Sequence, residues 1–179
     1  MSSFTKKAIM EAFLRLVGKK PLDKITVRDI VDECGINRNT FYYHFQDMYA
    51  VLEGYCQELI DRLPTDASLS DTLNSYLTVM SNFAVENPRS THGLVVSLGY
   101  DGFYRYLAPG LQKVIMECLL RAQIKGAREY LRHLTVFICH GVIGLSVDLL
   151  KSGSSVIAST LSDDISRMLT QLERSPEEI

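Results

Sequence analysis

Two short runs carry side chains suited to bonding a polyanion: Arg38-Asn39-Thr40 and Tyr42-Tyr43-His44. Arg can pair bidentately with guanine O6 and N7, Asn with an adenine edge, and Thr with a base, a thymine methyl or a phosphate. Tyr hydroxyls and a His imidazole suit phosphate oxygens. Tyr43 fits a base contact equally, and His44 fits a packing role at a helix end. Thr26 and Arg28 stand at an expected helix start, where the N-terminus attracts an anion; a plain cap explains Thr26 as well. Elsewhere His92, His133, His140, Cys118 and Cys139 carry atoms for a metal or nucleophile site. They lack HExxH or paired ligand spacing, and no Gly-rich phosphate loop or GxSxG elbow occurs. The sequence therefore predicts no enzyme, no cofactor and no metal.

The elements that must hold these residues are helices. Trp is absent, Gly and Pro are sparse, and 46% of the 179 residues are hydrophobic, enough for a sizeable all-α core. Ile9, Ala12, Phe13, Leu16 and Val17 mark one face of a first helix over about 4–18, which Gly18-Lys19-Lys20-Pro21 stops. Thr26 with Asp29 three residues on has the form of a capping box, and Gly35 suits the left-handed end of a short second helix. Asn37 caps a third helix through Tyr43 and joins the candidate contact set. The spacing is that of a helix-turn-helix. Asp47 caps a fourth helix that ends at Pro64. Residues 1–46 thus form a three-helix unit, 47–64 a connecting helix, and 65–179 a C-terminal helical bundle. In the bundle, Gly93, Gly99, Gly102 and Pro109-Gly110 predict short or kinked helices between 89 and 112. Helices over 111–124, 127–151 and 155–172 follow.

Net charge is −2, and the first sixty residues hold eight basic and eight acidic side chains, so bulk charge does not mark a polyanion binder. Any contact must come from local placement. Cys34, Cys56, Cys118 and Cys139 are widely spaced inside apolar patterns and read as reduced, buried, cytoplasmic thiols; a redox sensor would need an exposed thiol of low pKa. The apolar stretch 134–150 contains His140 and Asp148 and falls short of a typical span, so no membrane is expected.

Ile25-Thr26-Val27-Arg28-Asp29-Ile30 followed by Cys34 to Phe45 resembles the N-terminal signature of the tetracycline-repressor (TetR, AcrR-type) family of transcriptional regulators. The likeness covers roughly residues 5 to 60. Its most specific part is the Thr-Phe-Tyr-Tyr-His-Phe ending before an acidic helix cap. It implies a recognition helix that lays Arg38, Asn39 and Thr40 in a DNA major groove, with Tyr42, Tyr43 and His44 near phosphates. One position departs: Met48 stands where the family often has a Lys able to reach the backbone. That loss and the neutral balance predict weak nonspecific binding and a modest salt slope. Lys6, Lys19, Lys20 and Lys24 are possible compensating contacts, or ordinary solvated charges.

The resemblance further implies that the C-terminal region binds an effector and dimerises. Phe137, Ile138, Gly141, Val142, Leu145 and Leu149 face one way on the long helix, and Ile157 to Leu172 supply a matching face. Two such helices from each of two chains would make a four-helix bundle, with an intrachain core as the other reading. A homodimer places two recognition helices about 34–36 Å apart, so a roughly palindromic operator is expected, with repression the family's commoner mode. Gly141 to Gly153 is similar to a branch that includes the dihydroxyacetone-kinase operon regulators, in which a partner protein can deliver the signal. For a small-molecule effector, the candidate lining is Met80, Phe83, Phe103, Tyr104, Tyr106, Met116, Phe137 and His140, residues that fit a plain core equally. A helical protein-interaction module and a partner-dependent activator are the alternatives. The former leaves the exposed donors of residues 38–44 without a use.

Overall fold

The computed structural model describes residues 2–123, 127–152 and Arg167. Seven α-helices follow one another: α1 (Ser2–Val17), α2 (Val27–Cys34), α3 (Arg38–His44), α4 (Met48–Ile60), α5 (Leu69–Glu86), α6 (Pro88–Arg121) and α7 (Arg128–Ser152), with a 3-10 turn at Leu22–Lys24. No strand occurs among the described residues. The expected helix over 155–172 lies outside them.

The first three helices close around α1. Ile9, Ala12, Phe13, Leu16 and Val17, the stripe read from the sequence, are all buried and meet Ile30, Val31 and Phe41. Each of the Ile, Leu, Val and Phe side chains contributes about 1.5–3 kcal/mol relative to exposure. Both short helices depend on their ends. At α2, Asp29 N–H donates to Thr26 Oγ1 (3.2 Å), Thr26 N–H donates to Asp29 Oδ2 (2.7 Å), and Gly35 closes the helix at φ 69°. At α3, Thr40 N–H donates to Asn37 Oδ1 (2.8 Å). Asp47 caps α4 in the same way, through Ala50 N–H at 2.8 Å. Met48, whose type breaks with the resemblance, is buried beside this cap, so a packed thioether stands where a cation was expected.

α4 leaves this unit and packs on α1 on one side and α6 on the other, while α5, α6 and α7 form the body. The interruptions expected in residues 89–112 reduce to one. The backbone leaves helical geometry at Gly99 (φ 57°, ψ −169°), whereas Pro109 lies inside a continuing helix. Gly93 serves close approach instead: a Cβ there would stand 2.1 Å from the carbonyl oxygen of Val17. Beside it, the buried Ser90 hydroxyl donates to Leu14 O at 2.8 Å. The start of α6 is therefore seated directly on the end of α1.

α7 is the one described helix long and apolar enough to cross a membrane by length and composition. Its inner face, including Leu131, Cys139, Ile143 and Val147, is buried against α5 and α6. Its outer face shows Tyr130 and Phe137, the latter 76% exposed. The cysteines are free thiols, and one differs from expectation: Cys34 is only half-buried, because it lies in the last turn of the short α2. Burial raises the pKa of Cys56 to about 12 and of Cys139 to about 11, and Cys34 is also raised, so none of these three is primed as a thiolate.

Candidate nucleic-acid interface

α3 has one buried side chain, Phe41, and this anchor decides what the rest of the helix presents. Its ring meets Phe45 at 6.1 Å between centroids and receives the edge of Tyr42 at 5.5 Å. With Phe41 turned inward, Arg38, Asn39, Tyr42 and Tyr43 are all exposed, the two tyrosines by 54% and 78%. His44 is half-buried with its ring at right angles to Tyr43, so it shares the packing role that the sequence left open. Asn37 serves as the cap, and Thr40 donates its hydroxyl proton to the same Asn37 oxygen at 3.0 Å. Thr40 therefore retains an acceptor, and Asn37 its amide donors.

The start of α2 is differently occupied. Thr26 donates through both its backbone N–H and its hydroxyl (2.6 Å) to Asp29 Oδ2, and Lys20 Nζ reaches that oxygen at 2.7 Å. The Lys20 hydrogen bond, with those from Thr26, pulls the Asp29 pKa down to about 2. Arg28 pairs with Asp32 at 3.5 Å. The lysines that were to compensate for Met48 are also engaged: Lys6 with Glu58 (3.9 Å), Lys19 with Glu33 (3.0 Å) and Lys24 with Asp23 (3.2 Å). Glu33 also holds Arg15 at 3.0 Å, and its pKa is lowered first by Lys19 and then by Arg15. Among the described residues up to 60, Arg38 is the one Lys or Arg outside any ion pair.

Residues 9–55 match the profile of bacterial regulatory proteins of the tetR family. A stretch of 55 residues is 36% identical to the HTH-type transcriptional regulator YerO of Bacillus subtilis (strain 168), covering 31% of this chain and 19% of that protein. These matches are confined to the N-terminal domain. Solved structures extend the likeness in fold to the helical body as well. The dihydroxyacetone kinase operon activator DhaS superposes with TM-score 0.67 over 93% of this chain and 95% of its own, at 18% identity. The TetR family repressor AlkX from Dietzia sp. strain DQ12-45-1b gives 0.55 over 95% and 98%, at 16% identity. A TetR transcriptional regulator from Rhodococcus sp. RHA1 gives 0.59 over 99% and 100%, at 15%.

In the C-terminal body, the eight residues expected around an effector divide into two groups. Met80, Phe83, Phe103 and Tyr106 share an internal void of about 20 Å³ with Tyr55 and Cys56. Tyr104 and His140 stack on each other outside it, with centroids 4.1 Å apart. The phenol of Tyr100, absent from the expected set, bonds His140 Nδ1 at 2.5 Å, and Gln112 Nε2 donates to Tyr104 at 3.0 Å. The i, i+4 spacing of Tyr100 and Tyr104 was the available signal. Met116 is half-buried near Thr135, and Phe137 faces outward. Sequence reading also missed an open cleft of about 580 Å³ between the end of α4 and the C-terminal part of α6, lined in part by Asp61, Lys113, Glu117 and Arg121. No group of three or more His, Cys, Asp or Glu side chains that could hold a metal occurs among the described residues.

Proposed function

We propose that this chain is a homodimeric, sequence-specific DNA-binding transcriptional regulator that acts as a repressor from a roughly palindromic operator. One observation carries the reading: α3 is anchored by a single buried ring and turns Arg38, Asn39, Tyr42 and Tyr43 to solvent, with Arg38 outside any ion pair. A side chain fixed at its base and unengaged at its tip is ready for base-edge or phosphate contact. Arg38 and Asn39 read bases, Tyr42 holds a phosphate, and Tyr43 supplements either contact. The outer face of α7 supports the dimer: Tyr130 and Phe137 are exposed, and a Cβ at Gly141 would meet nothing within 4 Å, which leaves room for a second helix. Repression requires only that the bound dimer occlude a promoter, and a DNA-reading role fits a cytoplasmic location.

The modulating signal acts on the body. An effector entering between Met80, Phe83, Phe103 and Tyr106 has to open the void, since about 20 Å³ holds one water at most. The likeness to the activator DhaS favours a second reading, in which the bound dimer recruits rather than occludes. Selection of bound sequences from a random duplex pool, at low and at physiological salt, tests the function. Enrichment of an inverted repeat is expected, and absence of enrichment at both salts would overturn it. A reporter behind the selected operator then separates repression from activation.

A further inference from the structure

The start of α2 gathers three donors on one oxygen: the Thr26 N–H, the Thr26 hydroxyl and the Lys20 ammonium all converge on Asp29 Oδ2, between 2.6 and 2.7 Å. A capping box needs only the first of them. An ammonium, a hydroxyl and a backbone N–H at a helix N-terminus form the donor set that a phosphate oxygen takes. In a helix-turn-helix the first helix of the motif crosses the DNA backbone, so this end of α2 is where a phosphate would arrive. We propose that Asp29 tunes DNA affinity and its salt dependence: its carboxylate takes the place of a DNA phosphate at the start of α2 and keeps Lys20 out of the backbone contact. Phosphate contacts are blind to sequence, so each one withheld lowers affinity for every duplex equally and leaves discrimination to α3.

Other charges near this point fit the same economy of contact. Arg28, the residue before Asp29, is held by Asp32 on the next turn, and Lys24 by its neighbour Asp23. Arg38 stays outside such pairs, and it stands where base edges rather than phosphates are met. The inference rests on the DNA-binding reading, and the test separates the two.

The experiment uses the full chain, its selected operator and a duplex of arbitrary sequence, with affinity measured by fluorescence anisotropy over a series of salt concentrations. Asp29→Asn keeps an acceptor for the Thr26 N–H but releases Lys20. It should steepen the slope of log affinity against log salt by about 0.9, which is roughly a three- to fourfold greater loss of affinity per fourfold rise in salt. Affinity for operator and arbitrary duplex should rise by the same factor, so that their ratio stays unchanged. In a Lys20→Gln background, Asp29→Asn should leave the slope unchanged, because no cation is released. The same steepening there would show a plain loss of negative charge and overturn the proposal. Lys20→Gln alone, which leaves the cap intact and serves if Asp29→Asn does not fold, should not alter the wild-type slope. A flatter slope would mean that Lys20 already touches a phosphate, which also overturns it. If the wild-type chain binds neither duplex at any salt, the DNA-binding reading itself falls, and this inference with it.

Discussion

Two regions of the molecule each set a histidine beside two tyrosines, and they are built in opposite ways. On α3, Tyr42, Tyr43 and His44 are consecutive, so the helix turns them about 100° apart and Tyr43 meets His44 edge-on at 87°. On the body, Tyr100 and Tyr104 lie one turn apart on α6 and His140 comes from α7, so the rings lie within 18° to 28° of parallel. There the Tyr100 phenol is already bonded to His140 and Tyr104 to Gln112. The tyrosine hydroxyls of α3 have no such partner recorded among the described residues, which is why the first group fits an intermolecular contact and the second fits a brace between two helices. Tyr42 and Tyr43 are exposed where Tyr100 and Tyr104 are half-buried, and the bonding of the polar tips follows the same division.

The sharpest break falls where the two regions join. Gly93→Ala puts a methyl against the Val17 carbonyl, and a backbone oxygen cannot swing aside as a side-chain tip can. A loss of about 3 kcal/mol is expected in chemical denaturation, at the upper end of overpacking, with the α1–α6 seat displaced. Next is Arg38→Ala, expected to weaken operator binding by about 1–3 kcal/mol and to relax preference at one base pair in a repeated selection, while thermal stability stays at the wild-type value. Tyr100→Phe should do the reverse. It costs about 0.5–1.5 kcal/mol of stability by removing the bond to His140, and operator affinity should not move. A drop in affinity would make the body's ring group part of the DNA-reading machinery and erase the contrast.

The smallest effect is one of pH. Asp29 has its pKa depressed in the folded state from 3.8 to about 2, so its contribution is fully present above the unfolded value and is lost as pH falls from about 4 through 2. Glu33, lowered by Lys19 and Arg15, acts in the same direction. Amide exchange should therefore show the N-terminal unit loosening over that window, and Asp29→Asn should remove part of the dependence. An unchanged acid profile in that variant would count against the Asp29 share.

Much of the N-terminal unit was legible because its signals are local. Thr26 with Asp29, Asn37 with Thr40 and Asp47 with Ala50 are each three residues apart, and one turn of helix brings them together. What links distant residues was not legible. The Lys20–Asp29 pair depends on how the 3-10 turn at Leu22–Lys24 folds back, and the Tyr100–His140 bond depends on how α6 lies along α7. Glycine shows the same divide: Gly93, Gly99 and Gly102 look alike in the sequence. One sits against another helix's carbonyl, one adopts a left-handed φ, and Gly102 makes room for Leu98, whose Cβ would stand 2.7 Å from a Cβ there.

The seat of α6 on α1 also acts as a length standard. In the proposed dimer, two recognition helices reading two half-sites would be held at a fixed separation, and in each subunit that separation would be transmitted through α1 to the body. With the Val17 oxygen lying where a methyl of residue 93 would be, there is little slack in that joint. In that dimer the spacing of the operator's half-sites, counted in base pairs along the DNA, would be set in part by a hydrogen atom standing where every other amino acid carries a carbon.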